Sequence, residues 1–207
     1  MEVLLINGSP RKSGCTFTAL SEIAGELEKQ NIATRIFQIG TKAVRGCVAC
    51  RQCSKTGRCC HSDDSVNECI GLIQKADGVI VGSPVYYASP NGALLALLDR
   101  VFYAGGGAFA YKPAAAIVSC RRGGAASAFD ALNKYFTISD MPVVSSQYWN
   151  GVHGNTPEEV RQDLEGLQVM RTLGRNMAWL LKCIDVAKTT VPYPEKETVR
   201  QRTNFIR

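Results

Sequence analysis

The sequence predicts an open α/β fold: a five-stranded parallel sheet in the order 2-1-3-4-5, with helices on both faces. Short apolar runs alternate with helical stretches five times along the chain. The third run, "DGVIVGSP" at 77–84, is a continuous apolar stretch of the kind that suits a strand buried on both faces. The runs at 2–7 and 77–84 are both followed by or end in "GSP", which marks two neighbouring strand ends.

Each element has a local reason. "EVLLIN" (2–7) reads as strand 1, and residues 16–30 as a helix, with Phe17, Leu20, Ile23, Ala24 and Leu27 on one face. "ATRIFQI" (33–39) is strand 2. A cysteine-rich loop at 45–61 follows, and then a helix over 63–76 with Asp63 and Asp64 as N-cap candidates. After strand 3 come a helix at 91–103, strand 4 at 114–119, a helix at 124–136 and strand 5 in "PVVSSQ" (142–147). One long helix, 157–183, closes the core. The chain divides into a domain over 1–186 and a C-terminal extension over 187–207. No repeat or low-complexity segment interrupts this pattern.

Composition excludes several classes. A chain of 207 residues, 45% hydrophobic and 20% charged, suits one globular domain. The opening "MEVLLINGSP" has no basic n-region and only a short apolar run, and no stretch reaches membrane-spanning length, so a cytoplasmic protein without membrane contact is expected. The net charge of +6 is mild and spread out. Its densest cluster, "KETVRQRTNFIR" at the C-terminus, reads as a solvated tail, and no nucleic-acid partner is expected. Nine cysteines, an odd number in a reducing compartment, argue for free, catalytic or metal-binding thiols over a disulfide framework.

Ligands of open α/β sheets sit beyond the carboxyl ends of the strands, at the switch point between strands 1 and 3. After strand 1, "GSPRKSGCT" (8–16) runs into a helix and reads as a phosphate cradle: backbone amides, the hydroxyls of Ser9, Ser13 and Thr16, and the charge of Arg11. It is neither a Walker A loop, because Cys15 and Thr16 follow Gly14, nor a G-x-G-x-x-G turn. After strand 3, Pro84, Val85, Tyr86 and Tyr87 form a stiff aromatic ledge suited to a flat conjugated ring. After strand 4, Cys120, Arg121, Arg122 and Gly123 face the same side, where basic neighbours would lower the Cys120 thiol pKa only if the local geometry allows it. A phosphate cradle beside a planar ledge describes a mononucleotide with a large aromatic base, and FMN fits best.

"GSPRKSGCT", "ADGVIVGSPVYYASPNGALLALLDR" (76–100) and the intervening cysteine loop resemble the flavodoxin-like NADPH-dependent FMN reductase and iron-sulfur flavoprotein superfamily. The resemblance implies a flavodoxin-like three-layer sandwich. It implies that Ser9, Arg11, Ser13, Gly14, Cys15 and Thr16 hold the FMN phosphate, and that Pro84, Val85, Tyr86 and Tyr87 line the isoalloxazine. Cys15 stands where relatives commonly have Asn.

Cys47, Cys50, Cys53 and Cys59 form C-x2-C-x2-C-x5-C, with Cys60 as an alternative fourth ligand. The first three are close enough for one loop to wrap three corners of a cubane, as in ferredoxin-type runs, although the proline that follows such runs is replaced by His61. Zinc sites more often pair two distant C-x2-4-C units. The spacing leaves a [4Fe-4S] cluster, a zinc ion and unligated redox-active thiols open. The resemblance favours the cluster on Cys47, Cys50, Cys53 and Cys59. Cys69 and Cys183 fall at apolar helical positions and are expected in the core. Trp149 and His153 border the flavin or are ordinary loop residues.

The expected activity is an FMN-dependent NAD(P)H oxidoreductase passing electrons to a quinone, another flavin, a small organic acceptor or the cluster. The alternative is an iron-sulfur flavoprotein electron carrier fed by ferredoxin. No catalytic base is assigned. The loop "AGGGAFAYK" (104–112) and the tail 187–207 are expected to be poorly buried on a lone chain, and with the resemblance they imply a homodimer or homotetramer.

Overall fold

The computed structural model describes residues 1–197, 199, 201, 203, 205 and 206. The basic C-terminal cluster lies partly outside them. The strands are β1 (Glu2–Asn7), β2 (Ala33–Gln38), β3 (Gly78–Tyr86), β4 (Ser89–Pro90), β5 (Ala114–Cys120) and β6 (Gly151–His153). The helices are α1 (Cys15–Lys29), α2 (Cys53–Thr56), α3 (Val66–Lys75), α4 (Gly92–Gly105), α5 (Ala125–Thr137), α6 (Pro157–Gln162) and α7 (Leu164–Ala187).

The parallel strands run β2-β1-β3-β5-β6, which is the expected 2-1-3-4-5 order; a sixth strand, β4, pairs antiparallel with the end of β3. Side chains alternate across the sheet because the strand period is two. Leu4, Ile6, Val79, Val81, Ala114, Ala116 and Val118 face α3, α4 and α5. Val3, Leu5, Ile80, Ala115 and Ile117 face α1 and α7. Each fully buried Leu, Ile or Val in these two layers contributes about 1.5–3 kcal/mol of transfer free energy, and together they fix the sheet register. No helix among the described residues is long and apolar enough to cross a membrane.

Five sequence expectations need correction. Strand 5 does not run through 142–147. Only Pro142–Val144 meets β5, with Ala114 N–H donating to Pro142 O (2.9 Å) and Val144 N–H to Ala114 O (2.8 Å). The chain then leaves the sheet over 145–149 and returns as β6 beside Val118–Cys120. Across the gap Asn150 Nδ2 donates to Ala116 O (3.1 Å) and Val118 N–H donates to Asn150 O (3.0 Å). A side chain thus supplies a missing rung.

The long last helix is divided at Asp163, whose ψ of 78° leaves helical geometry. Its Oδ1 caps α7 through Gly166 N–H (2.9 Å), and its Oδ2 accepts His153 N–H (2.7 Å). The 104–112 segment is not an arm: α4 runs to Gly105, a 3-10 turn spans Gly106–Ala108, and Phe109 is buried edge-on against Phe102 at 5.5 Å. Cys69 is in the core as expected, but Cys183 is exposed on α7. Ser65, not Asp63 or Asp64, occupies the N-cap of α3, although Asp64 Oδ1 accepts Val66 N–H (3.2 Å).

Candidate functional site

The carboxyl ends of β1, β3 and β5 carry three loops pinned to one another. Gly8 N–H donates to Gly82 O at 2.8 Å, so the β1 loop is tied to β3. A Cβ on Gly8 would lie 2.6 Å from that carbonyl oxygen and 2.4 Å from Leu94 Cδ2, so only glycine fits. Asn91 makes a second tie. Its Nδ2 donates to Gly8 O (2.8 Å), its Oδ1 caps α4 through Ala93 N–H (3.0 Å), and its amide donates to Ser83 Oγ (3.0 Å).

The cradle itself is the turn from Ser9 to α1. Ser9 Oγ accepts Arg11 N–H (3.1 Å) and Ser9 N–H donates to Asn7 Oδ1 (3.1 Å), which fixes the curve of the loop. Thr18 is the first amide of α1 to find a helical acceptor, Gly14 O at 3.0 Å. Those of Cys15, Thr16 and Phe17 lie ahead of it, where helical geometry leaves amides without an intrahelical partner, and together they form a ready anion site. Arg11 and Ser13 stand exposed at its rim. Thr16 is buried and shares a 2.8 Å hydrogen bond with Ser119 Oγ, so its hydroxyl ties the cradle to β5 while its amide faces the loop. Cys15 is half-buried, with Sγ 3.7 Å from Gly154 O, and burial pushes its thiol pKa up.

The aromatic ledge forms differently from the sequence reading. β3 continues through Pro84, Val85 and Tyr86 and folds back through Tyr87 and Ala88 into β4. Tyr87 and Ala88 both have left-handed backbone, φ +51° and +59°, a strained conformation for non-glycine residues that clusters at ligand sites. It leaves the Tyr87 ring fully exposed, with Tyr86 about half so. The third loop closes against this turn. Gly124 has φ +87°, and a Cβ there would lie 2.7 Å from Ala88 Cα. Arg121, Arg122 and Gly123 are exposed beside it, whereas Cys120 is buried, and burial raises its thiol pKa instead of lowering it. These surfaces suit an FMN: free amides and a cation for a phosphate, and an exposed ring over a glycine-lined backbone.

Further along α4, beside Arg100, Tyr103 and Ala104, the cysteine loop surrounds a small hollow. Cys47, Cys50, Cys53, Cys59 and Cys60 all line it, together with His61, Arg100 and Tyr103; its volume is about 20 Å³. Cys50 and Cys60 Sγ are 3.3 Å apart. The Gln52 amide, and then the Cys60 contact, holds the Cys50 thiol below its ordinary pKa; the same contact pushes Cys60 up. Burial, then the neighbouring cysteines, raises Cys53. Among the described residues no three such side chains converge on a metal-sized point. The donor set nonetheless fits a thiolate-bound metal group: five thiols share one hollow, and His61 Nε2 beside them is buried without a partner. Sequence reasoning missed Arg100, which is 2% exposed and donates Nε–H to Cys59 Sγ at 3.2 Å. In "ALLALLDRVF" Arg100 stands beside Asp99 at the border of the apolar face, where an amphipathic reading sends both charges to water.

A further cavity, about 370 Å³, lies between β6 and the first turns of α5 and α7, with Phe129, Tyr148, Trp149 and His153 in its wall. His153 Nδ1 is 3.7 Å from Asp163 Oδ2.

The chain matches the family model for NADPH-dependent FMN reductase over residues 1–156. It is 31% identical over 193 residues to an iron-sulfur flavoprotein of Methanocaldococcus jannaschii, covering 89% of this chain and 99% of that one. An iron-sulfur flavoprotein of Methanosarcina thermophila is 27% identical, with 89% and 97% covered. Among solved structures, an NAD(P)H:quinone oxidoreductase from Methanothermobacter marburgensis superposes with a TM-score of 0.65 at 17% identity, covering 86% of this chain and 96% of that one. An archaeal flavodoxin does so at 0.61 and 16%, covering 88% and 99%. At these identities the structures share the fold.

Proposed function

The chain belongs to the NADPH-dependent FMN reductase and iron-sulfur flavoprotein family, and from that premise we propose that it is a cytoplasmic, FMN-dependent NAD(P)H oxidoreductase. One observation carries the reading: three loops at the ends of β1, β3 and β5 are locked together around a turn of free amides, with an exposed aromatic ledge beside it. The first amides of α1, the Ser9 and Ser13 side chains and Arg11 bind the phosphate, with charge-assisted bonds from the guanidinium. Pro84, Val85, Tyr86 and Tyr87 orient the ring. Cys120, Arg121 and Gly123 approach it from the third loop. Bound FMN supplies hydride acceptance and electron release; the chain positions it and leaves one face open.

The cysteine loop extends this reading. Cys47, Cys50, Cys53 and Cys59 hold a [4Fe-4S] cluster, which supplies single-electron transfer. Support comes from the five-thiol hollow, the unpartnered His61 nitrogen and the full-length similarity to proteins named iron-sulfur flavoproteins. The electron acceptor is a quinone, a flavin or a small organic molecule, and the assembly is a homodimer or homotetramer. The same observations favour a second reading, an electron carrier reduced by ferredoxin. Nine residue steps along α4 carry the chain from its N-cap Asn91 to Arg100, about 13.5 Å at the helical rise, so the two sites are mechanically joined by one helix.

The test is an anaerobic visible spectrum with iron and acid-labile sulfide assayed on the same sample, followed by NADH or NADPH. Flavin bands bleached rapidly by a nicotinamide support the oxidoreductase, whereas flavin reduced only by a protein donor supports the carrier. A protein that takes up no FMN would sink both.

A further inference from the structure

Arg100 occupies an unusual position. It projects from α4 into the base of the cysteine loop, and every part of its guanidinium has a partner. Asp64, with a side chain 6% exposed, accepts from both Nη atoms. The remaining bonds go to the loop itself. Nη1 donates to Arg45 O (3.1 Å), two residues before Cys47; Nη2 donates to His61 O (3.5 Å), just after Cys60; and Nε donates to Cys59 Sγ (3.2 Å). One buried side chain therefore grips both ends of the loop and one of its sulfurs.

The two adjacent cysteines differ accordingly. Cys59 is half-buried, and its backbone is also fixed: its N–H donates to Asn67 Oδ1 (2.9 Å) and its O accepts from Asn67 Nδ2 (3.0 Å). Cys60 is exposed, and among the described residues its sulfur meets only other thiols, Cys50 at 3.3 Å and the neighbouring Cys59. A sulfur that becomes a metal-bound thiolate gains from an N–H donor and a nearby cation, and hydrogen bonds to ligand sulfurs and local net charge are among the factors that set a cluster's potential.

We propose that Arg100 is a positioning residue for the cluster: its Nε–H bond to Cys59 selects Cys59 over Cys60 as the fourth ligand and holds the bound cluster at a more positive potential. The inference rests on the reading of the loop as a cluster site. Because Asp64 neutralises the guanidinium, the two residues act on the potential with opposite sign. Removing the Asp64 charge leaves an uncompensated cation beside Cys59. Removing both charges leaves the sulfur without its donor.

The experiment uses the anaerobically purified full chain, with iron content and an electron-paramagnetic-resonance redox titration as readouts. Cys60→Ser should keep about four irons per chain, and Cys59→Ser should lose the intact cluster. Asp64→Asn should move the midpoint potential positive, and the charge-neutral pair Arg100→Met with Asp64→Asn should move it negative of wild type. A merely structural clasp predicts changes in iron content alone, without this reversal of sign. Cys59→Ser with a full cluster, or an Asp64→Asn cluster at the wild-type potential, would overturn the inference while leaving the cluster reading intact. Wild-type protein with flavin and no iron would sink the cluster reading, and the inference with it.

Discussion

The side-chain amide of Asn91 donates to the Gly8 carbonyl across the top of the sheet at 2.8 Å while its oxygen caps α4. One residue thereby joins the phosphate cradle to the helix that carries Arg100. Asn91→Ala should cost about 1–3 kcal/mol, from the lost cap and an unsatisfied buried carbonyl. Asn91→Asp keeps an oxygen for the cap but turns an acceptor toward Gly8 O. Its helix should survive better than that of the alanine variant, and its FMN affinity should not. Denaturant unfolding and flavin-fluorescence titration on the two variants separate these effects.

Gly8→Ala places a methyl against the Gly82 carbonyl, which is backbone and cannot turn away. The expected loss is about 1–3 kcal/mol of stability, with weaker FMN binding, because β1 and β3 must part for the methyl to fit. A thermal melt of the flavin-free protein and a titration with FMN would check it. An alanine variant with wild-type values in both would refute the close packing.

Gly124→Ala meets two obstacles, a left-handed φ and a clash with Ala88. About 1–3 kcal/mol of destabilisation is expected, concentrated where the third loop rests on the Tyr87 turn. Hydrogen exchange should show faster opening at 86–90 and 121–125 than in α1.

Acid should weaken the α1–α7 layer through Glu26. The hydrogen bond from Lys29 (2.6 Å), then the Lys29 and Arg175 charges, hold its carboxyl below the usual glutamate pKa despite burial. A carboxylate depressed on folding contributes stability that is fully present above its unfolded pKa of about 4.3 and is lost as pH falls through the lower folded value. Glu26→Gln should therefore unfold at lower denaturant than wild type at pH 7, and the gap should close on acidification. A gap independent of pH would show that the charge is not what matters.

Much of this was legible in the chain. The 3.6-residue spacing of Leu20, Ile23 and Leu27 and the apolar run from Val79 to Val81 gave α1 and β3 because periodicity reports which face is buried. "GSPRKSGCT" located the cradle for the same local reason. What periodicity does not carry is long-range hydrogen bonding. Val143 and Val144 look like strand throughout, yet the edge follows β5 only where Pro142, Val144 and Asn150 find partners. Asp163 divides a continuous helical pattern because its carboxylate answers His153 from ten residues away. Arg100 was hidden by its neighbours, since an amphipathic reading of α4 assigns charged residues to water, whereas Asp64 and the cysteine loop supply a polar interior.

The interrupted outer edge has a bearing on how the protein behaves at high concentration. A parallel sheet ending in an unbroken strand presents a row of amides and carbonyls on which another chain can build. Here the terminal strand lasts only from Gly151 to His153, and the stretch before it swings Tyr148 and Trp149 outward. Asn150 meanwhile fills the vacant position on β5 from its own side chain. At this border a foreign strand finds too short a template to zip along, so edge-to-edge growth of the sheet is left to the six-residue strand β2 on the opposite side.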